Sequence, residues 1–454
     1  MSVRNSSESL KVDLYELTMA AGYFQNKVDT RATFELSCHT MPENRSFLVA
    51  CGLEQVVEYI LDLRFMDEDI AFLKSLPVFK HVKNNFFDYL KSFKFSGDVW
   101  AMPEGEVFFA REPILQVEAP VIEAQILETC VLSLMNIESV VATKAARVVA
   151  AARADGVARG VIDFGSRRAH GPEAGVLAAR AAYIGGCLGT SNVYAGRQFG
   201  IPVYGTMAHS WVEAFDSEEE SFEKYHAVFP ENTVLLVDTY DTLGCVRKVA
   251  KMPLREKLKG VRLDSGDLKM LSKKVRAVLN KAGLPHVKIL ASGNLNEYKI
   301  AELVNGHAPI DSFGVGTDMV TSRDCPALDL TYKLVQVQEK NGTIKYKSKT
   351  SPQKKTIPGK KQVFRQYDKK GIFVKDTIGL ASEDAPAGAR ALLRPVIRDG
   401  KMTEALPSLE TVRETAAAKL AWLPSRVKDI YKTRSTKVGY TKTIARLAAK
   451  RAGG

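Results

Sequence analysis

The sequence of 454 residues lacks several features that would place it in a specialised class of protein. No apolar run approaches the roughly 18 residues that a membrane-spanning helix requires. The first stretch, MSVRNSSESLK, is polar and does not show the basic and then apolar pattern of a secretory signal. The six cysteines are scattered, with no CxxC pair and no metal-like spacing. These absences predict a cytoplasmic protein with reduced thiols and without a membrane partner.

Common nucleotide and metal motifs are missing as well. The sequence contains no GxxxxGK[ST], so any nucleotide is bound without a P-loop. A GxGxxG with an acidic residue at the appropriate distance is absent, and neither an HExxH motif nor a Cys/His cluster indicates zinc. Apolar residues make up 45% of the chain and charged residues 26%. This composition is typical of a globular enzyme with two or three domains, or with one barrel and an added domain.

Acidic residues are scarce mainly near the end of the chain. The net charge is +12, but eleven Lys and Arg against two acidic residues follow position 410, so this segment alone contributes +9. The preceding 410 residues carry only +3, which argues against nucleic acid as a partner of the protein's body. Basic segments of this kind are commonly solvated or interact loosely. We therefore expect a basic tail whose deletion leaves the rest of the protein intact.

Strand-like and helix-like segments alternate regularly between residues 160 and 316. Six apolar stretches are interpreted as strands, namely 160–165, 201–207, 232–239, 259–266, 287–293 and 310–316. Strands that alternate with helices in this way predict a parallel α/β sheet, closed or open. Residues 95–120 and the segment from Leu330 to about 398 are typical of short strands separated by turns, and could together complete a second sheet.

Each predicted strand of the alternating region ends in a cluster of small or polar residues: DFGSRR, GTMAHS, LVDTYD, RLDSGD, ASGNLN and GVGTD. In α/β barrels the active site is built on the loops at the carboxyl ends of the strands. His209 in GTMAHS therefore lies where such a fold has its chemistry. A histidine within an apolar pattern is more commonly a core residue, so its neighbours have to decide between the two interpretations.

RLDSGD (262–267) carries the sharpest local signal. Its arginine, two carboxylates, hydroxyl and glycine can bind a polyanion, a metal and sugar hydroxyls together, although a surface turn with an internal Arg–Asp pair would have the same sequence. GVGTD (314–318) has glycines spaced for a phosphate-binding turn, or for a plain turn. DFGSRR is compatible with phosphate binding, aromatic stacking or a surface arginine pair. ASGNLN is interpreted as a helix N-cap.

Taken together, segments along most of the chain resemble those of the nicotinate phosphoribosyltransferase family in sequence and in order. They include DLYELTMAAGYF, MPENRSFLVACGLEQVVEYI, DFGSRRAHG, GTSNVYAG, GTMAHSWVEAF, RLDSGDL, ASGNLNE, GVGTDMVTS and PGKKQVFR. The resemblance extends from about residue 11 to 400. It implies an α/β protein with an irregular parallel α/β barrel and an α+β domain built from both ends of the chain. We expect boundaries at 1–135 for the N-terminal α+β domain, 136–330 for the barrel and 331–408 for the returning strands, while the basic tail, 409–454, lies outside the resemblance.

The resemblance also implies a reaction and its partners. The family joins nicotinate to 5-phosphoribosyl 1-diphosphate, giving nicotinate mononucleotide and diphosphate for NAD synthesis. ATP hydrolysis is coupled to this reaction, Mg²⁺ is the implied metal, and homodimers share their active sites between subunits. Loss of diphosphate leaves an oxocarbenium-like carbon that the pyridine nitrogen attacks, so positioning and charge stabilisation should dominate over acid–base work.

Site residues follow from the same resemblance. His209 is the implied phosphate-accepting residue, and a neutral imidazole is a nucleophile near pH 7. Arg167 and Arg262 would hold diphosphate or the nicotinate carboxylate, and Asp264 would contact ribose hydroxyls directly or through Mg²⁺. Phe164 and Tyr15 of the partner subunit would form the walls of the nicotinate slot. The implied cradle of the 5′-phosphate is formed by backbone groups around Gly293, Asn294, Gly314, Gly316 and Thr317.

Three other functions remain open at this point. A nicotinamide phosphoribosyltransferase shares much of the layout but carries an aspartate where this chain has Ser191 in GTSNVYAG. Ser191 could face the substituent of the pyridine ring, or simply cap the following helix. A quinolinate-type enzyme would need further basic residues for a second carboxylate. A non-catalytic binding protein on the same barrel is disfavoured because every polar cluster at a strand end is intact.

Overall fold

The computed structural model describes residues 8–349, 356–434, 436 and 438–450. The chain divides into two compact units, one formed by Met1–Ser139 with Ala327–Gly454 and the other by Val140–Pro326. Within the described residues, every helix is too short or too polar to cross a membrane. All six cysteine side chains are buried.

The N-terminal part of the first unit alternates helices with mostly short strands. Its elements are α1 (Leu14–Gln25), β1 (Arg31–Cys38), β2 (Leu48–Val49), α2 (Leu53–Asp62), α3 (Asp67–Ser75), α4 (Asn84–Lys91), β3 (Asp98–Ala101), β4 (Val107–Phe108), β5 (Pro113–Pro120), α5 (Val121–Ile126) and α6 (Glu128–Ala152). The long helix α6 begins in the first unit and ends in the second.

The second unit consists of short strands that alternate with helices. Its further elements are β6 (Gly160–Asp163), α7 (Pro172–Ile184), β7 (Gly189–Thr190), α8 (Val193–Phe199), α9 (His209–Glu213), α10 (Glu218–Val228), β8 (Val234–Leu236), α11 (Thr242–Val249), β9 (Gly260–Leu263), α12 (Leu268–Lys281), β10 (Lys288–Ala291), α13 (Glu297–Asn305), β11 (Ser312–Val315) and α14 (Thr317–Val320). The six strands form one parallel sheet in the order β7-β6-β11-β10-β9-β8. They are largely buried, which explains their continuous apolar sequences.

Five of the six predicted strands of this region are confirmed in the second unit. The exception is IPVYGTM, where only Val203 makes a bridge, to Thr190 of the two-residue strand β7. Pro202 has no N–H to donate, and the side chains of Val203 and Tyr204 are exposed, so the segment lacks the burial that its sequence indicated. The described strands do not form a closed ring, because β7 and β8 stand at opposite ends of the sheet order.

The C-terminal part of the chain returns to the first unit. It comprises β12 (Leu330–Gln338), β13 (Ile344–Tyr346), β14 (Lys361–Tyr367), β15 (Phe373–Leu380), β16 (Ala389–Ala391), β17 (Arg394–Arg398), β18 (Lys401–Met402), α15 (Leu409–Ala421), α16 (Ser425–Lys428), β19 (Val438–Tyr440) and α17 (Lys442–Lys450). A seven-stranded sheet has the order β13-β12-β1-β5-β3-β17-β18 and a four-stranded sheet the order β16-β14-β15-β19, while β2 pairs with β4. In the large sheet the three N-terminal strands β1, β5 and β3 therefore lie in the centre, with two C-terminal strands on either side.

The basic tail is a packed part of the first unit, so our expectation of a loosely solvated tail is wrong. Five of its apolar side chains are buried: Val412, Ala416, Leu423, Val427 and Ile444. Strand β19 pairs in parallel with β15 and extends the four-stranded sheet. The backbone N–H of Arg434 donates to Ser46 Oγ at 2.9 Å. Basic side chains such as Arg426, Lys432 and Arg434 are exposed, while the five buried apolar side chains pack against the protein.

A buried ionic cluster joins the tail to the first unit. The Arg365 guanidinium donates to both carboxylate oxygens of Asp376, at 2.9 and 2.6 Å, and to Glu106 Oε1 at 2.7 Å. Lys419 of α15 lies 2.7 Å from the other oxygen of Glu106. Burial and the adjacent Asp376 raise the pKa of the neighbouring Glu112 carboxyl well above its usual value. The two cations, Arg365 and Lys419, thus bind the carboxylates of Glu106 and Asp376 within the unit.

Deletion of residues 411–454 should destabilise the protein severely. The five buried side chains contribute roughly 1–3 kcal/mol each, and Glu106 would lose Lys419. We expect a large fall in the thermal unfolding temperature or insoluble protein. The matched control is the double variant Arg426→Ala/Lys432→Ala, which removes two exposed charges of the tail without removing packing. A truncated protein as stable as this control would contradict the packed tail.

Candidate active site

The carboxyl ends of neighbouring parallel strands bring the polar clusters of the second unit to one edge of its sheet. Strands β9, β10, β11 and β6 are consecutive in the sheet, and they are followed by RLDSGD, ASGNLN, GVGTD and DFGSRR respectively. This edge is where open α/β sheets bind their ligands. Side chains at the ends of these strands contact one another.

Arg262 connects its own segment, RLDSGD, with the segments ASGNLN, GTMAHS and DFGSRR. Its Nη2 donates to Asp264 Oδ1 at 2.7 Å and its Nε to Ser292 Oγ at 2.9 Å. Its Nη1 donates to Thr206 Oγ1 at 3.1 Å, which fixes the segment that precedes His209. The guanidinium also lies over the ring of Phe164, 5.5 Å from its centroid. Arg262 is therefore the hub of the site, and most of its donors are already used by the protein.

Asp264 is held as a charged acceptor. Ser292 Oγ donates to its Oδ1 at 2.5 Å, in addition to the bond from Arg262. Burial alone would raise the pKa of Asp264, but the Ser292 hydrogen bond and the charge of Arg262 outweigh this and lower it. The backbone N–H of Asp264 donates to Asp238 Oδ2 at 2.8 Å, so the turn itself is anchored by a second carboxylate.

His209 is the first residue of α9 and faces this carboxylate. Its Nδ1 lies 3.1 Å from Thr239 Oγ1 and its Nε2 lies 3.9 Å from Asp264 Oδ2. The side chain is 39% exposed, so the alternative of a buried core histidine is wrong. A partly exposed imidazole that is oriented by a hydroxyl and a carboxylate can act as a nucleophile or a proton acceptor.

The predicted phosphate cradle depends on two close approaches of the backbone. Gly293 has φ +98°, and a Cβ at this position would lie 1.9 Å from the carbonyl oxygen of Asp264. A Cβ on Gly314 would lie 2.4 Å from the ring of Phe164. Asn294 also has a positive φ, while Gly316 directly precedes α14, which begins at Thr317. The glycines are therefore required by the packing of the loops, whether or not a phosphate binds there.

Asp163 holds the DFGSRR and GTSNVYAG segments together. Thr190 Oγ1 donates to its Oδ2 at 2.7 Å, and the backbone N–H of Ser191 donates to its carbonyl oxygen at 2.9 Å. Burial raises the pKa of this carboxyl. The cap of α8 is Asn192, whose Oδ1 accepts from the N–H of Ala195 at 2.9 Å. Ser191 is therefore not the helix cap, which removes the structural alternative considered for this residue.

Two further predicted residues, Arg167 and Tyr15, are exposed. Arg167 is exposed in a short 3₁₀ helix, and no hydrogen bond or ion pair of its side chain is found among the described residues. Tyr15 lies on α1 of the first unit with 42% of its surface exposed. Burial of its hydroxyl and the adjacent Glu128 raise the pKa of Tyr15, which therefore stays protonated at neutral pH.

Sequence reasoning missed three polar residues at the hub. Asp238 anchors the turn of Asp264, Thr239 contacts His209, and Ser292 links Arg262 to Asp264. The first two belong to LVDTYD and the third to ASGNLN, which were recognised only as polar strand ends. The strand order, in which β10 lies next to β9, is what brings Ser292 to Arg262.

The first unit contains a cationic cavity of about 260 Å³. Arg111, Lys333 and Lys349 line it together with several hydroxyl groups, and the tail contributes Tyr440. Its buried Lys361 is paired with Glu35 at 2.9 Å. None of the predicted site residues lines this cavity. Its positive lining is suited to an anion.

The second unit is thus an α/β unit whose strand ends present an arginine, carboxylates, a histidine and glycine turns, groups that can bind phosphates and sugar hydroxyls. The family described as nicotinate phosphoribosyltransferase (NAPRTase) N-terminal domain matches residues 10–136, and the nicotinate phosphoribosyltransferase (NAPRTase) family matches residues 160–377. The chain belongs to the nicotinate phosphoribosyltransferase family.

Individual relatives agree with this assignment. A nicotinate phosphoribosyltransferase of Mycobacterium tuberculosis is 44% identical over 450 residues, which covers 98% of this chain and 93% of the relative. One of Bacillus subtilis is 41% identical over 371 residues, 80% of this chain and 74% of the relative. The crystal structure of human nicotinic acid phosphoribosyltransferase superposes with a TM-score of 0.86 at 28% identity, covering 96% of this chain and 99% of the human one. The first of these similarities includes most of the basic tail, which sequence motifs alone had left unmatched.

Replacement of Gly293 by alanine should disrupt the site. The new Cβ would collide with the carbonyl oxygen of Asp264, so the RLDSGD turn has to move. We expect release of diphosphate from 5-phosphoribosyl 1-diphosphate to fall by roughly a hundredfold or more, because misplaced groups lose their positioning effect. Gly283→Ala is the matched control, since Gly283 also has a positive φ but open space around it. Equal activity of the two variants would contradict the proposed packing.

Proposed function

We propose that this protein joins nicotinate to 5-phosphoribosyl 1-diphosphate, forming nicotinate mononucleotide and diphosphate in NAD biosynthesis. The observation that carries the proposal is the contact of Arg262, Asp264 and His209 at the strand ends of a chain that is 44% identical to a nicotinate phosphoribosyltransferase. The reaction passes through a cationic ribose carbon, so an oriented carboxylate and positioned anion donors are its main requirements.

In this proposal Asp264 binds the ribose of the phosphoribosyl donor. Its Oδ1 is occupied by Arg262 and Ser292, whereas its Oδ2 makes no hydrogen bond among the described residues. Asp238 Oδ1 is buried and also has no hydrogen-bond partner in the described part of the chain. These two carboxylates fit Mg²⁺, which prefers carboxylate oxygens and the oxygens of a diphosphate. When bound, the ion would neutralise part of the diphosphate charge.

The nicotinate slot is proposed to lie beside Phe164. The ring of Phe164 is fixed by the guanidinium of Arg262 and by the close approach of Gly314. Tyr15 of the partner subunit would form the opposite wall, since Tyr15 of this chain belongs to the first unit and is exposed. Ser191 would face the ring substituent, and the exposed Arg167 is better suited than the largely engaged Arg262 to pair with a carboxylate or a phosphate.

A homodimer with shared active sites would also explain the cationic cavity of the first unit. A bound phosphoribosyl diphosphate carries several negative charges, and the hub offers only one arginine whose donors are mostly used. We propose that Arg111, Lys333 and Lys349 of a partner supply further anion-binding groups. Sedimentation velocity should then show a particle of twice the chain mass.

We further propose that the sheet of residues 140–326, the catalytic domain, curls into an irregular barrel. Its first and last strands, β6 and β11, pair with each other, as they do in closed α/β barrels. The barrel would be open between β7 and β8, the two end strands of the sheet order. Val203 bridges to β7, and Asn232 Nδ2, just before β8, donates to the carbonyl oxygen of Gly205 at 3.5 Å. Slow amide exchange across residues 203–207 and 232–236 would support this closure.

Substrate preference tests the function directly. Wild-type protein should release diphosphate with nicotinate and much less with nicotinamide or quinolinate. Ser191→Asp should reverse part of this preference, because a buried carboxylate repels that of nicotinate at a cost of a few kcal/mol but accepts a hydrogen bond from an amide NH₂. The measurement is kcat/KM for the substrates, with Ser191→Ala as the neutral control. No turnover of nicotinate by the wild type would refute the proposed function.

ATP is proposed as a co-substrate that phosphorylates His209. His209 attacks the γ-phosphorus, a new N–P bond forms, the terminal P–O bond breaks, and ADP leaves with the bonding electrons. His209→Ala should therefore remove ATP hydrolysis while binding of the phosphoribosyl donor persists, because the donor contacts are assigned to other residues. Loss of radiolabel transfer from [γ-³²P]ATP to protein is the readout, and the exposed His170→Ala is a control. Unchanged ATP hydrolysis would exclude His209 as the acceptor.

A further inference from the structure

Ser292 occupies the point at which two strand ends of the second unit are joined by side chains. It directly follows β10 and is buried. Its Oγ lies 2.9 Å from Arg262 Nε and 2.5 Å from Asp264 Oδ1, both of which belong to the neighbouring strand end. Arg262 Nη2 lies 2.7 Å from the same oxygen of Asp264. Three side chains thus form a closed triangle of hydrogen bonds.

The direction of each bond in this triangle is fixed by chemistry. An arginine only donates and an ionised carboxylate only accepts, so the Ser292 hydroxyl accepts from Arg262 and donates its one hydrogen to Asp264. Asp264 Oδ1 therefore receives two hydrogen bonds, while Oδ2 points toward His209 Nε2 at 3.9 Å. The orientation of the carboxylate is determined by which of its oxygens is held.

The helix-capping interpretation of ASGNLN does not explain Ser292. The cap of α13 is Asn296, whose Oδ1 accepts from the N–H of Lys299 at 3.0 Å. The backbone N–H of Ser292 donates to the carbonyl oxygen of Leu263 at 2.8 Å, and any residue could make this bond. What the serine side chain adds is its hydroxyl, and the shortest contacts of that hydroxyl are with Arg262 and Asp264.

We propose that Ser292 is a positioning residue of the phosphoribosyl transfer: by holding Oδ1 of Asp264 against Arg262, it leaves Oδ2 directed at the ribose of the donor. This inference rests on the proposed function, in which Asp264 contacts the ribose. Without the hydroxyl, one salt-bridge contact to Arg262 holds the carboxylate, which can then rotate about its Cβ–Cγ bond. Arg262 also loses the acceptor of its Nε.

The test compares Ser292→Ala with a chemically identical change elsewhere. Ser272→Ala is the matched control, because Ser272 is buried in the same unit and its hydroxyl, among the described residues, bonds only to the helix carbonyl of Lys269. Binding of 5-phosphoribosyl 1-diphosphate, measured by calorimetry on the full chain, should weaken about tenfold to a hundredfold in Ser292→Ala, as expected for a lost hydrogen bond to a charged group. The KM for nicotinate should change little, and Ser292→Thr should restore binding.

A double-mutant cycle keeps the test decisive if threonine is too large beside Gly314. If Ser292 acts through Asp264, adding Ser292→Ala to Asp264→Asn should cause little further loss of donor binding. Losses that multiply, or a Ser292→Ala variant that binds the donor as Ser272→Ala does, would overturn the proposal. Failure of the proposed function would be recognised separately, as absence of nicotinate turnover in the wild type, because donor binding is measured without nicotinate.

Discussion

The guanidinium of Arg262 is the group on which the geometry of the candidate site depends. Backbone hydrogen bonds hold parallel strands together, but the loops beyond their carboxyl ends have no such ladder. Arg262 takes over that role, because its planar fork presents several donors in a fixed arrangement and keeps its charge. It thereby joins the turn after β9 to Ser292 and to the segment before His209. The site is thus organised around a cation that is largely satisfied before substrate arrives.

In the first unit, Arg365 also connects several segments through hydrogen bonds of its guanidinium. Its role differs from that of Arg262. Arg365 is fully enclosed and has two carboxylates as close partners, so its charge is compensated entirely by the protein. Arg262 has one carboxylate partner and is partly open. Removing Arg365 would leave the fully buried Asp376 without its cation, whereas Asp264, the partner of Arg262, is 26% exposed. The charge of Arg365 is thus neutralised by buried carboxylates, as in a structural ion cluster. The charge of Arg262 is neutralised by one carboxylate, which suits a site that binds a charged ligand.

The sequence predicted those features that depend on residues close together in the chain. Apolar strands followed by polar clusters were recognisable one at a time, and Arg262, Asp264 and His209 do meet. Ser292, Thr239 and Asp238 could not be assigned, because their partners depend on which strands are neighbours. IPVYGTM was misjudged because Val203 and Tyr204, in the middle of the segment, are exposed. The tail was misjudged because counting charges overlooks a few apolar residues that are enough to dock it.

The discontinuity of the first unit has a consequence for synthesis on the ribosome. Strand β1 can pair with β5 as soon as both are made, but its other neighbour, β12, follows only after the roughly 190 residues of the second unit. At about 5–20 residues per second, this delay is roughly 10–40 s. Throughout it the nascent chain exposes an unpaired strand edge, which can recruit strands of other chains. Yield of soluble protein should therefore depend on translation speed and on chaperones that cover this edge.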